Sequence, residues 1–208
     1  SAEGWLPPER VRRGAWLAFA LAFCCGVYLA VLGGWPIVAI GLASLAAGWA
    51  YTWGRWPIAY GPLCELFVIL FFGVVAVAGS YYLQTGACSS TVLWLGGLLG
   101  MQAAAVITVN NYRDLEGDAL CGKRTLAVRL GRRATCWLYA AEMLLPYAGL
   151  LVLGMGHGLA LCALPLALIL VWQFFHTPPS AVFNRLLAMS AGLQLAFSLL
   201  LSLDLTIF

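Results

Sequence analysis

The sequence predicts an all-α fold, a polytopic transmembrane helix bundle. Hydrophobic residues make up 63% of the 208 residues and charged residues only 9%, and the mean hydropathy is +0.93. A soluble domain normally has about a quarter of its residues charged. Repeated apolar windows of about 20 residues match the length of helix that crosses ~30 Å of hydrocarbon, and the short alternating strands of an outer-membrane barrel are missing. These observations indicate an integral membrane protein in contact with membrane lipid.

Seven helices are predicted, because glycine- and proline-rich or polar turns interrupt the apolar sequence at intervals. Their approximate ranges are 14–32, 37–53, 63–83, 91–109, 134–153, 159–175 and 181–203. We interpret residues 1–208 as a single transmembrane domain.

The positive charges indicate the orientation of the bundle. All eleven Lys and Arg residues lie on one side of the predicted bundle. They lie before the first helix, in the connections after the second and fourth helices, and in the first turn of the seventh helix, which follows the connection after the sixth. By the positive-inside rule, these segments face the cytoplasm. We expect the membrane to be a bacterial inner membrane. The modest net charge of +3, without basic residues interleaved with aromatic ones, predicts no nucleic-acid partner.

The charged stretch 110–133 contains a regular column of oxygen ligands. Asn110, Asp114 and Asp118 follow one another at intervals of four residues. On a helix each such step turns the side chain by only ~40° and advances it by ~6 Å. Mg²⁺ favours one or two carboxylates together with phosphate oxygens and water, so the column is a candidate magnesium site. The alternative is a solvated loop whose charges only fix the topology.

Basic residues follow the column directly. Lys123 and Arg124 are cations suited to binding a polyphosphate. Their position after the acidic column favours a combined metal and phosphate site over a loop that only sets topology.

A few ionisable residues lie in or near the apolar windows. Glu65, about one turn into the third helix, faces either the site or a local partner, and both interpretations stay open. Glu142 is interpreted as structural, and Asp204 as solvated at the end of the last helix. The seven cysteines show no C-x-x-C pair, so neither a zinc site nor a disulfide framework is predicted.

Residues 110–131 resemble a known family. They match the string NNxRDxxxDxxxGKRTLAVRLG, which is similar to the second aspartate-rich region of the UbiA-type intramembrane prenyltransferases and looks like their 1,4-dihydroxy-2-naphthoate polyprenyltransferase branch. Further stretches resemble the same branch: Tyr51-Thr52-Trp53-Gly54, Pro57, Tyr60-Gly61, Glu65 and Phe71-Phe72-Gly73.

The resemblance implies a reaction and assigns roles to residues. Mg²⁺ held by Asn110, Asp114 and Asp118 would bind a polyprenyl diphosphate, with Asp114 and Asp118 as the catalytic residues. The diphosphate would also meet three cations: Lys123, Arg124 and Arg55. The aromatic acceptor would be 1,4-dihydroxy-2-naphthoate, which loses its carboxylate as demethylmenaquinone forms. The candidates for acceptor binding are two side chains: Glu65 and Tyr51.

The resemblance also implies two further helices and a first aspartate-rich motif ahead of the first helix predicted here. The seven helices would then be the last seven of the family fold, and we expect the chain to be incomplete at its amino end. Two alternatives stay open. One is a UbiA-type enzyme for another acceptor, such as homogentisate, a hydroxybenzoate or a chlorophyllide, and the other is a non-catalytic seven-helix membrane protein.

Overall fold

The computed structural model describes residues 7–52, 57–154, 158–180 and 182–207, and within these ranges the chain contains helices and no strands. The all-α prediction is confirmed. The helices are α1 (Pro8–Thr52), α2 (Cys64–Val68), α3 (Ala76–Thr85), α4 (Ser90–Arg113), α5 (Leu115–Leu120), α6 (Leu126–Val152), α7 (Leu164–His176) and α8 (Phe183–Ile207). A π-helical segment, Ile69–Val75, joins α2 to α3, and short 3₁₀ turns cover Ile58–Tyr60 and Ala160–Ala163.

Five helices in the described ranges are long and apolar enough to cross a membrane. They are Pro8–Tyr51, Cys64–Thr85, Ser90–Arg113, Leu126–Val152 and Phe183–Ile207, and the shorter apolar stretch Ala160–His176 adds a sixth segment. Large apolar side chains such as Phe72, Trp94 and Trp137 are more than 60% exposed on the outside of the bundle. Hydrocarbon is the solvent that suits such a surface. The chain is therefore an integral membrane protein.

Helix α1 contains the first two predicted helices. Gly34, with φ 66° and ψ −155°, interrupts it, a conformation that glycine adopts at no steric cost. Residues from both sides of Gly34, including Phe19 and Leu45, line one apolar cavity of about 740 Å³. A straight helix would place these two residues roughly 39 Å apart at 1.5 Å per residue. The two halves therefore lie side by side, as the predicted turn at 33–36 requires.

Close backbone contact joins the helix 64–85 to α4. A Cβ added at Gly73 would lie 2.5 Å from the Cα of Gly100, and one added at Gly100 would lie 2.5 Å from the carbonyl oxygen of Ile69. Gly96 and Gly100 form a G-x-x-x-G pair, which lets helices approach closely in a membrane. The π-helical segment faces this pair. The contact sets the separation between the helix that contains Glu65 and the helix that leads into the charged stretch.

An aromatic cluster holds the charged end of α4 against the carboxyl-terminal helices. Tyr112 stacks within 5.3 Å of Phe183 at the start of α8 and lies 4.6 Å from Phe174 of α7, measured between ring centroids. Tyr139 of α6 stacks on Phe174 at 4.2 Å. Because Tyr112 directly follows Asn110 and Asn111, this packing fixes the place of the candidate site within the bundle.

The position of Asp204 in the structure differs from the sequence-based interpretation. It was expected to be solvated, but it is 1% exposed. Its carboxylate accepts hydrogen bonds from the backbone N–H of Ala160 at 2.9 Å and of Leu159 at 3.3 Å. The first N–H groups of a helical segment have no partner within the segment. Asp204 supplies that partner from the end of α8, at the end of the bundle opposite the charged stretch.

Candidate functional site

The oxygen-ligand column lies where α4 passes into α5. Asp114 separates the two helices with φ −94° and ψ 5°, so the column does not lie on one uninterrupted helix. The helical backbone hydrogen bonds nevertheless persist, from the N–H of Asp114 to the carbonyl of Asn110 at 3.1 Å and from the N–H of Asp118 to the carbonyl of Asp114 at 2.8 Å. The three side chains therefore follow one another at intervals of about one turn.

Arg113 connects the first two members of the column. Its guanidinium donates to both carboxylate oxygens of Asp114, at 2.8 and 2.7 Å, and to Oδ1 of Asn110 at 2.9 Å. Its remaining nitrogen donates to Oδ1 of Asn184 at the start of α8. The sequence motif contains Arg113 but gave it no role. The partner Asn184 is 71 residues away in the sequence, and no spacing rule could have found it.

The ion pair with Arg113 changes the acidity of Asp114. Hydrogen bonds from the guanidinium hold the pKa of Asp114 below its ordinary value, while partial burial acts in the opposite direction. Asp114 is therefore a carboxylate at neutral pH. An ionised carboxylate is the form that a hard cation binds.

Lys123 pairs with the third member of the column. Its Nζ lies 2.6 Å from Oδ1 of Asp118, a residue that is 8% exposed. This hydrogen bond raises the pKa of Lys123. The chain reaches this geometry by turning at Gly122, which has φ 77°, and the backbone N–H of Lys123 donates to the carbonyl of Asp118.

The connection after α1 lies against the basic residues. The backbone N–H of Arg124 donates to the carbonyl of Tyr60 at 2.8 Å, and Nζ of Lys123 lies 5.3 Å from the centre of the Tyr60 ring. The two connections predicted to share one side of the membrane thus meet. Arg55, the third predicted diphosphate ligand, belongs to the same connection but lies outside the described residues.

Glu65 has a local partner. It is 3% exposed, and its Oε1 accepts a hydrogen bond from Nδ2 of Asn111 at 2.9 Å. The structure thus supports the interpretation that Glu65 faces a local partner. The hydroxyl of Tyr51 lies 3.2 Å from Sγ of Cys64, the residue next to Glu65 in the chain. The two predicted acceptor-binding side chains therefore lie on neighbouring elements, and their role in acceptor binding stays a prediction.

The donor chemistry of the column suits Mg²⁺. An amide oxygen and two carboxylates are hard ligands, and Mg²⁺ usually takes one or two carboxylates and completes its shell with phosphate oxygens and water. Within the described ranges, no group of three or more His, Cys, Asp or Glu residues is arranged to hold a metal by itself. The two carboxylates and the amide of the column would thus supply part of a coordination shell and leave the rest to other oxygen ligands.

The fold and the site together define a class: a helical integral membrane protein with an oxygen-ligand column and basic residues at one end of its bundle. The sequence matches the UbiA prenyltransferase family over residues 3–199. The chain belongs to this family.

The chain is also similar in sequence to several curated proteins. A 1,4-dihydroxy-2-naphthoate octaprenyltransferase of Bacillus subtilis is 32% identical over 152 residues, which cover 72% of this chain and 49% of the relative. One of Mycobacterium tuberculosis is 38% identical over 144 residues, 69% of this chain and 49% of the relative. The human UbiA prenyltransferase domain-containing protein 1 is 30% identical over 199 residues, 93% of this chain and 57% of the relative. The chain thus spans about half the length of the relatives it matches.

Proposed function

We propose that the protein transfers a polyprenyl group from a polyprenyl diphosphate to 1,4-dihydroxy-2-naphthoate, with loss of the acceptor's carboxylate and formation of demethylmenaquinone, in a Mg²⁺-dependent reaction. The observation that carries the proposal is the column Asn110, Asp114 and Asp118 beside Lys123 and Arg124. The bacterial relatives are named as 1,4-dihydroxy-2-naphthoate octaprenyltransferases, which supports the choice of acceptor. Because the chain spans about half of their length, the proposal concerns the complete protein.

The column would bind the diphosphate end of the donor. Asn110, Asp114 and Asp118 would hold Mg²⁺, which when bound would supply positive charge that stabilises the leaving diphosphate. Arg113 keeps Asp114 ionised and holds it next to Asn110. Since Arg113 donates to both carboxylate oxygens of Asp114 and to Oδ1 of Asn110, the guanidinium would share these oxygens with Mg²⁺ or move aside as the metal binds.

Basic side chains would stabilise the leaving group. As the allylic C–O bond breaks, negative charge grows on the diphosphate, and fixed cations stabilise that charge. Lys123 offers three N–H donors, one of which contacts Asp118. Arg124 has an exposed side chain next to it. Arg55 is proposed as a third cation on the basis of the sequence resemblance alone.

The apolar helices would bind the polyprenyl tail and exclude water from the reacting carbon. Exclusion of water matters because water would intercept an allylic cation. For the acceptor side, Tyr51 and Glu65 stay the proposed residues. The distribution of basic residues supports a site on the cytoplasmic side of the membrane. The bacterial sources of two relatives support the proposal of a bacterial inner membrane.

Turnover of the complete protein with a panel of aromatic acceptors tests the proposal. With a polyprenyl diphosphate and Mg²⁺, 1,4-dihydroxy-2-naphthoate should be prenylated, and Asp114→Ala and Asp118→Ala should each lower the rate by about 100-fold or more. Glu116→Ala is the matched control, because Glu116 lies between them but pairs with Arg132 at the exposed surface.

The outcomes separate the competing functions. Prenylation of homogentisate, a hydroxybenzoate or a chlorophyllide in preference to the naphthoate would replace the proposed acceptor. A folded protein without turnover on any acceptor would favour the non-catalytic alternative. Full activity of both Asp variants would remove the metal role of the column.

A further inference from the structure

Two carboxyl groups are buried inside the bundle near the charged end of α4. Glu65 of α2 and Glu142 of α6 are each 3% exposed and approach α4 from different helices. Carboxyl groups are rare inside membrane helices, and those present usually face a partner or a functional cavity. Neither has a basic hydrogen-bond partner in the described part of the chain. They differ in one respect, since Glu65 accepts a hydrogen bond from α4 and Glu142 accepts none.

The hydrogen bond from Asn111 to Glu65 joins the interior of the bundle to the candidate site. Asn111 follows Asn110 directly and precedes Asp114 by three residues. Adjacent side chains on a helix point about 100° apart. Any rotation of α4 that moved Asn111 away from Glu65 would therefore turn Asn110 and Asp114 by the same angle. At 2.9 Å the bond has ordinary hydrogen-bond length.

Burial makes it costly to break the hydrogen bond between Asn111 and Glu65. Asn111 is 7% exposed, and a buried amide that loses its partner is left unsatisfied, which destabilises the folded state. Thr108 lies on the same face of α4, one turn before Asn111, and is fully buried. The face of α4 that points inward is thus fixed, and so is the direction of the neighbouring side chains of the column.

We propose that Glu65 is a positioning residue: by accepting the hydrogen bond from Asn111, it fixes the rotation of the charged end of α4 and directs Asn110 and Asp114 toward the diphosphate. This inference rests on the proposed function. It uses Oε1 of Glu65 and does not require Glu65 to contact the donor. The sequence resemblance assigned Glu65 to the acceptor, whereas this role concerns the metal and diphosphate end of the site.

Binding measurements on the complete protein test the proposal without relying on turnover. The probe is farnesyl diphosphate, and the readout is the Mg²⁺-dependent part of its affinity, measured by calorimetry in detergent or nanodiscs. Glu65→Ala should weaken that affinity by about tenfold or more, because removing a residue that orients metal ligands costs about 10–100-fold in metal affinity. Glu65→Gln keeps an acceptor oxygen for Asn111 and should restore binding to within about threefold.

Two further variants separate positioning from a general loss of stability. Asn111→Leu removes the donor and should weaken binding as much as Glu65→Ala, and the double variant should be no weaker than either, because both remove the same bond. Tyr139→Phe is the matched control. It removes another buried hydrogen bond, between the hydroxyls of Tyr139 and Ser190 at 2.8 Å, and should lower the Tm while leaving the Mg²⁺-dependent affinity unchanged.

Three results would overturn the inference: wild-type affinity in Glu65→Ala or Asn111→Leu, no rescue by Glu65→Gln, or an equal loss of affinity in Tyr139→Phe. A different result would overturn the proposed function as well. If the unaltered protein binds farnesyl diphosphate without any effect of Mg²⁺, the column is not a metal and diphosphate site. The failure of the positioning role and the failure of the site itself are thus distinguishable.

Discussion

Nζ of Lys123 lies 2.6 Å from Oδ1 of Asp118, and Asp118 is almost completely buried. This ion pair balances the charge of the column's last carboxylate. A bound diphosphate would offer Lys123 a second anionic partner. Under the proposed function, the lysine would bridge the column and the substrate.

Lys123→Gln tests this placement. Loss of the cation should raise the KM for the polyprenyl diphosphate about tenfold, which corresponds to about 1.4 kcal/mol. Steady-state kinetics at saturating acceptor would measure it. Arg133→Gln removes a positive charge from an exposed position nearby and should leave the KM within about twofold. An unchanged KM in Lys123→Gln would contradict the placement.

The pair between Arg113 and Asp114 should make stability depend on pH in a defined direction. The pKa of Asp114 is lowered in the folded protein, chiefly by hydrogen bonds from Arg113. A lowered pKa contributes stability above the unfolded-state value of about 3.9, and this contribution is lost as the pH falls through the folded-state pKa. The Tm difference between the unaltered protein and Arg113→Gln should therefore be present at neutral pH and shrink in acid.

Thermal unfolding in EDTA from neutral pH to about pH 3 would measure this difference. Arg132→Gln is the control, because Arg132 pairs with a more exposed carboxylate, Glu116. A Tm difference that grew as the pH fell would be the wrong sign for a lowered pKa.

The contact between the helix 64–85 and α4 predicts opposite effects at neighbouring glycines. Gly100→Ala places a Cβ 2.5 Å from the backbone oxygen of Ile69 and should destabilise the bundle by about 1–3 kcal/mol, as other overpacked sites do. Gly97 has no atom within 4 Å of the added Cβ. Gly97→Ala should therefore leave stability unchanged or raise it by about 0.5–1 kcal/mol, because alanine favours the helix.

Unfolding by denaturant in mixed micelles would measure both glycine variants. Equal stability of Gly97→Ala and Gly100→Ala would contradict the close approach of the two helices.

Asp204 should contribute to stability from the end of the bundle opposite the candidate site. Asp204→Ala leaves the N–H groups of Leu159 and Ala160 without their acceptor, and an unsatisfied buried donor costs about 1–3 kcal/mol. The expected result is a lower Tm with unchanged Mg²⁺-dependent affinity for farnesyl diphosphate. Ser202→Ala, on an exposed face of the same helix, is the control. A Tm equal to that of the unaltered protein would show that water replaces the carboxylate.

Hydropathy was sufficient to predict the approximate ranges of the long apolar helices, because each span must be apolar over the thickness of the bilayer. It did not predict the short polar helix α5. It was less informative at the charged ends. Helix α6 begins at Leu126, eight residues before the predicted start, and bends at Gly131, with φ 74°. The signal for this earlier start is Thr125, whose hydroxyl accepts from the N–H of Val128, a common N-cap arrangement.

The site was predictable only in part. The four-residue spacing of Asn110, Asp114 and Asp118 is a local pattern and survives in the structure as successive backbone hydrogen bonds. The contacts of Arg113 with Asn184 and of Glu65 with Asn111 join residues 71 and 46 positions apart. Such pairs depend on which helices pack together. The hydropathy of the sequence does not determine which helices pack together.

The hydrogen bond between the N–H of Arg124 and the carbonyl of Tyr60 has a consequence for biosynthesis. Its two residues are separated by the whole of the helix 64–85 and α4, so the bond forms only after both have been synthesised and inserted. Until then the connection around Tyr60 has no partner from the charged stretch. This contact at the candidate site thus forms only once both helices that precede the charged stretch have been synthesised, whereas the packing of Tyr112 on α7 and α8 follows later.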